Sequence, residues 1–292
     1  MRYFWQVAVH STVMGFVFYA WVHRVDLPSG RTKRLLLTLL LALPLVTAAI
    51  PGRSDLVFAE RVAWFNSARL ADVPLGAGVH LYHVAWLLGG LLVALAIWQE
   101  VLPSFRQPRS ATADLPEWLV PQVRDRSGWE RCIVVVSPVA SIMLATGGRP
   151  GRPRLILSRG ALASFSAADL SLAIAHEHAH WTHGRWWKSH LLFLARLAQC
   201  YHPTALWAFR EYCVEEEIAC DAVSVAGRDP APLVRILLRI YQETDPRDVA
   251  ARSALRKRVD VLMNGGPQDD ALPTATIAAA AGVMLVVLPW IV

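Results

Sequence analysis

Three long apolar runs separated by polar stretches occupy the first third of the sequence, at residues 3–22, 35–50 and 81–101, and a fourth, uncharged run closes it at 274–292. A helix needs about 20 apolar residues to cross the hydrocarbon core of a bilayer. The pattern therefore predicts about four transmembrane helices. Arg24, Arg31, Lys33 and Arg34 follow the first run, whereas the next loop balances Arg53, Arg61 and Arg69 against Asp55, Glu60 and Asp72. Basic loops stay on the cytoplasmic side. That rule puts the second loop outside and everything after Val101 inside again, up to the last run. No small-residue cleavage site precedes His23-Arg24, so the first run reads as an anchor rather than a signal peptide. His10, Ser11 and Thr12 make its middle polar, which reads as hydrogen bonding between helices, and Pro44 is expected to kink the second run.

The centre of the chain changes period. Residues 102–131 are polar and punctuated by Pro103, Pro108, Pro116 and Pro121, the signature of a linker. Two short β-rich runs follow at 132–137 and 154–158, with 139–145 as a third candidate and Gly147, Gly148 and Gly151 marking the turn. Ser166 and Asp169 form a capping-box-like start to a helix whose apolar stripe is Leu170, Ala173, Ile174 and Ala175, with Gly184 as its stop. Leu191, Leu192, Leu194 and Leu197, set against Lys188, His190 and Arg196, predict an amphipathic or core helix near the membrane surface. His202-Pro203 opens a second long helix over about 205–225, which Gly227 and Asp229-Pro230 close. The expected fold is mainly α with a small β-sheet, organised as a membrane domain at 1–101, a linker at 102–131, a compact domain at 132–273 and a last membrane helix at 274–292.

Composition fits this outline, with 54% hydrophobic residues and 18% charged. The net charge of +6 invites a nucleic-acid reading. The basic residues cluster at the ends of apolar runs, without an aromatic-interleaved stripe, so no nucleic acid is expected as a partner. Cys132, Cys200, Cys213 and Cys220 form no C-x-x-C pair and read as buried, reduced thiols, with Cys220 turned away from the neighbouring chemistry.

That chemistry lies in His176-Glu177-His178-Ala179-His180, an H-E-x-x-H pattern inside the first motif helix. Histidines four apart share a helical face and can point at one zinc ion, with the intervening glutamate beside the open coordination position as general base. His178 faces the other way and reads as structural. Two histidines leave zinc one protein ligand short. Glu217 and Asp221, four apart on the second helix, supply a candidate ligand and a carboxylate to hold the far nitrogen of a ligand histidine. A solvated acidic face accounts for Glu215 and Glu216, but less well for Glu217, whose neighbours Val214, Ile218 and Ala219 are apolar. A developing oxyanion needs a further donor, and Tyr201, His202, Arg210 and Tyr212 all remain candidates.

Together, H-E-H-A-H, His202-Pro203 with Trp207, and E-E-E-I-A-C-D resemble the BlaR/MecR-type membrane metallopeptidases, as do the flanking Pro153–Ser158 and Arg258–Leu262 stretches. The resemblance implies a gluzincin-like domain with one zinc ion held by His176, His180 and Glu217. It further implies a protein or peptide substrate and, by analogy, cleavage of a transcriptional repressor, while the apolar runs and basic loops predict a multi-pass place in the cell membrane with the site in the cytoplasm. Membrane-protein quality control and a zinc-containing scaffold with little turnover are the alternatives. Oligomeric state stays open. In related peptidases an aspartate follows the second histidine by five positions, where this chain has Arg185. Antibiotic-sensing members carry a penicillin-binding domain after the last membrane helix, and this sequence stops at Val292, so a β-lactam receptor is not expected. An extended peptide is expected to pair with 140–146 or 154–158, unless these strands form an internally paired hairpin.

Overall fold

A computed structural model describes residues 2–25, 27–49, 73–98, 115–149, 151–182, 186–199, 202–267, 278 and 281–282. Gly184, Arg185, Cys200, Tyr201 and most of the 274–292 run lie outside the described residues. The chain forms two compact units that interleave along the sequence. One comprises Met1–Arg106, Ser189–Cys213 and Gln268–Val292; the other comprises Gln107–Lys188 and Val214–Pro267. The sequence had suggested one contiguous domain over 132–273.

In the first unit, helices α1 (Arg2–Val25) and α2 (Arg31–Ala49) precede a small hairpin, β1 (Pro74–Gly76) and β2 (Val79–His80), and helix α3 (Leu81–Ala96). Met14 and Phe18 of α1 and Leu36, Leu37 and Leu41 of α2 enclose a core with Leu192, Ala205, Ala208 and Tyr212. The polar patch of α1 is the inter-helix device its sequence suggests. The Thr47 hydroxyl donates its one proton to the Leu43 carbonyl, so it accepts from His10 Nδ1 at 2.9 Å. Ser11 donates to Gln199 Oε1 at 2.8 Å, while Gln199 donates to the Leu41 carbonyl and Thr12 meets His202 Nε2 at 3.2 Å. Buried polar groups require partners, and the buried His10 and Ser11 find theirs on separate segments, with the exposed Thr12 beside them. At Gly15 a Cβ would stand 2.5 Å from Thr204 Oγ1, so only glycine allows this approach.

Among the described residues, α2 alone is long and apolar enough to cross a membrane, and it continues through Pro44. The apolar stretches of α1 and α3, Val7–Tyr19 and Leu81–Leu95, are shorter. The structure thus supports one helix of spanning length, against the four that the sequence suggests. Trp86, Leu87, Leu88 and Leu91 of α3 are exposed.

The second unit holds α4 (Leu119–Arg124), strands β3 (Ile133–Ser137), β4 (Leu144–Arg149) and β5 (Arg152–Ser158), then α5 (Arg159–Ser164) and α6 (Ala167–Thr182). After α7 (Trp186–Ala198) comes α8 (Pro203–Ser224), whose residues divide between the two units, and then α9 (Ala231–Glu243) and α10 (Val249–Met263). From residue 115 onward the stretch expected as a linker contributes side chains to the core. Leu119, Val123 and Trp129 are fully buried against Leu155, Leu157 and Ile174. Pro121 sits in the first turn of α4, where a missing N–H costs nothing.

The sheet order is β3-β5-β4, with β5 parallel to β3 and antiparallel to β4. Both edges of β5 are therefore occupied, which removes 154–158 as a peptide-binding edge. Among the described residues strand β4 is an outer strand, and it includes Gly147 and Gly148, which the sequence had assigned to the turn. The register pairs Arg149 with Arg152, so the turn is only two residues long. Gly148 has φ +105°, a backbone conformation other residues adopt only under strain. The α6 cap forms as expected. Asp169 N–H donates to Ser166 Oγ, and Ser166 N–H and hydroxyl donate to Asp169 Oδ2.

Candidate metal centre

His176 and His180 lie one turn apart on α6, and α8 brings Glu217 against both. Glu217 Oε2 is 3.3 Å from His176 Nε2, Glu217 Oε1 is 3.3 Å from His180 Nε2, and the two Nε2 atoms stand 3.1 Å apart. One ligand atom from each of the three residues falls within a 4.8 Å cluster. Two imidazoles and one carboxylate form the three-residue donor set of a catalytic zinc site, so these residues fit the ion. Asp221 Oδ1 lies 2.8 Å from His176 Nδ1, an ion-pair contact that sets a carboxylate behind the ring. A metal that displaces the Nε2 proton of His176 would meet a lone pair directed at the cluster. Glu177 does not join the cluster; its Oε2 accepts a 2.7 Å hydrogen bond from the Thr146 hydroxyl.

A family model described as BlaR1 peptidase M56 matches residues 3–231. The chain belongs to the BlaR1 peptidase M56 family. No curated protein matches the chain. A peptidase family together with a His-His-Glu cluster points to metallopeptidase activity.

In this M56 chain the electrostatics bind the site together. Burial disfavours the charged form of His176, yet the Asp221 and Glu217 carboxylates outweigh it and raise the imidazole to about 10. Burial likewise pushes Glu217 upward, and both histidines with Arg258 overcome it, holding the carboxyl well below its usual range. Arg258 of α10 is the hub. Its Nε and Nη2 donate to Asp221 at 2.7 and 2.8 Å, and its Nη1 lies 3.0 Å from Glu217 Oε2. The family match ends at residue 231, before α10, so this guanidinium's role is read from the structure.

Several placements depart from the sequence reading. Cys220 does not turn away: its Sγ is 3.3 Å from His180 Nδ1, so a His180 that ligates through Nε2 has a thiol behind its ring. Cys213 is exposed, unlike the other described cysteines. Glu215 and Glu216 are buried rather than part of a solvated face, and Glu215 pairs with Lys257 at 2.9 Å. His178 is structural, as expected: its Nε2 meets the Ser127 carbonyl at 2.9 Å and its ring packs edge-on to Trp129. The proposed oxyanion donors belong to the first unit where described. There His202 contacts Thr12 and Thr204, Arg210 is exposed, and Tyr212 is fully enclosed in the core. Tyr201 is outside the described residues. Sequence reasoning missed Thr146, whose only signal was a hydroxyl in a β-rich run, and gave Arg258 no role.

Proposed function

We propose that the chain is an integral-membrane zinc endopeptidase whose site faces the cytoplasm, with Glu177 as general base, His176, His180 and Glu217 as ligands and Asp221 behind them. The observation that carries this reading is the convergence of two imidazoles and a carboxylate from separate helices beside a glutamate outside the cluster. A zinc ion held there supplies a Lewis acid that polarises the scissile carbonyl and acidifies water. Glu177 takes a proton from the attacking water and returns it to the leaving amine. Asp221 keeps the His176 ring in one tautomer and orientation, and Arg258 fixes Asp221.

The substrate in this reading is an extended peptide added to β4. Ser158 N–H donates to the Met143 carbonyl, which places residue 143 in a hydrogen-bonded pair across the β4–β5 ladder. Such pairs alternate along antiparallel strands, so residue 145 also faces β5 and the backbones of Leu144 and Thr146 face outward. Glu243 already covers the Ile142 amide at 3.0 Å, so among the described residues the open edge begins at Leu144. Main-chain pairing there gives affinity with little demand on side chains.

The four apolar runs at 3–22, 35–50, 81–101 and 274–292 form the membrane part in this proposal, supported by the basic loop after the first run and the exposed apolar side chains of α3. By family analogy the substrate is a cytoplasmic repressor. Proteomic comparison of cells carrying the wild-type chain and Glu177→Gln tests this. One or a few cleaved cytoplasmic proteins are expected. A broad set of misfolded membrane proteins points instead to quality control, and no difference at all points to a scaffold without turnover.

A further inference from the structure

We propose that Thr146 is a positioning residue for Glu177, joining the sheet edge where a peptide would pair to the carboxylate that would move the proton. The inference rests on the peptidase reading above and deepens it. Three observations converge on this residue. Its hydroxyl stands 2.7 Å from Glu177 Oε2 and 3.3 Å from the Glu177 carbonyl oxygen. A hydroxyl has one proton to donate, and the shorter contact takes it. Thr146 also lies on the outer strand, non-hydrogen-bonded to β5 by the alternation that Met143 fixes, so its own N–H and C=O point to the open edge.

A glutamate side chain has three rotatable bonds, and a base must hold its oxygen within hydrogen-bond reach of the reacting water. Asp221 and Cys220 stand behind the two ligand histidines, and Arg258 steadies Glu217. Thr146 performs the corresponding task for the residue that ligates nothing. The stiffness of its side chain contributes, because a β-branched residue has few χ1 alternatives. When a peptide pairs with β4, the strand that gains a neighbour is the strand that holds the base. Seating of substrate and orientation of Glu177 are thus linked through a single residue.

The test uses the full chain purified in detergent micelles, zinc-loaded, with fluorescein-labelled casein as probe. Thr146→Val keeps the β-branched shape and loses the hydroxyl, whereas Thr146→Ser keeps the hydroxyl. The proposal predicts that Thr146→Val lowers kcat by about 10- to 100-fold, the usual range for losing an outer-shell partner, with KM changed less than about threefold and zinc content unchanged. Thr146→Ser should recover kcat to within about threefold of wild type. A merely structural threonine would not give this split, since loss of packing lowers stability and is not restored by serine. Wild-type kcat in Thr146→Val, or equal loss in Thr146→Ser, overturns the proposal. Glu177→Gln in the same assay separates the two levels of inference: an inactive wild type overturns the peptidase reading together with this proposal, while an active wild type, an inactive Glu177→Gln and a fully active Thr146→Val overturn the proposal alone.

Discussion

Glu177→Gln is expected to keep its zinc and to lose about 10²- to 10⁴-fold in proteolytic rate, the range associated with removing a general base. The two halves of this expectation come from different parts of the geometry. Zinc retention follows because the clustered donor atoms are those of His176, His180 and Glu217, while the Glu177 carboxylate is held aside by Thr146. Glutamine preserves the shape and can still accept the Thr146 proton, so the site's architecture survives. Loss of rate follows because an amide cannot take up a proton near neutral pH. His176→Ala should differ in kind, losing metal and activity together. Measuring zinc content and casein cleavage on both variants checks this; more than about a tenth of wild-type activity in Glu177→Gln would remove the assigned base.

Asp221→Asn should be the most costly substitution to the fold. The Asp221 side chain is completely buried, accepts two hydrogen bonds from Arg258 at 2.7 and 2.8 Å and lies 2.8 Å from His176 Nδ1. Removing its charge leaves a largely buried guanidinium without its main partner, a change that costs about 3–5 kcal/mol in comparable pairs. A fall in Tm on the order of 10 °C follows for a protein of this size. Zinc affinity should fall by about 10- to 100-fold as the His176 ring loses its orienting acceptor. The pH dependence has a definite sign. Burial pushes the Asp221 carboxyl upward, but the hydrogen bonds of Arg258 and His176 more than offset it and hold it below its ordinary value. A carboxyl depressed on folding contributes its full stability above its unfolded value of about 3.9 and loses it as pH falls through the depressed one. The wild type's advantage over Asp221→Asn should thus be present at neutral pH and vanish in acid. Thermal melts of the metal-free proteins across pH would show it, and equal Tm values at pH 7 would contradict it.

What the sequence discloses about this site follows the reach of helical spacing. His176 with His180, and Glu217 with Asp221, are four apart, and a helix of 3.6 residues per turn forces each pair onto one face. Contacts between distant segments carry no such signature. Glu215 looked solvated because its partner is not in its own helix; Lys257, 42 residues further on, accounts for its burial. Cys220 precedes Asp221 and so lies about 100° around α8, which suggested an outward direction, but the His180 ring occupies that side. Thr146 and Arg258 were illegible for the same reason. Fold outlines fared similarly. Ser166 and Asp169 announce α6 because capping is local, whereas the proline-rich stretch around α4 disguised the buried Leu119, Val123 and Trp129, and two glycines disguised the end of β4.

The claim on which the account depends is that one zinc ion is held by nitrogen and oxygen alone, although a thiol stands 3.3 Å from one of the imidazoles. X-ray absorption at the zinc edge of the purified, zinc-loaded chain addresses it directly. The account predicts one zinc per chain with two imidazoles and light-atom ligands at about 2.0–2.2 Å. A sulfur shell at about 2.3 Å, or a spectrum with a single imidazole, would contradict it.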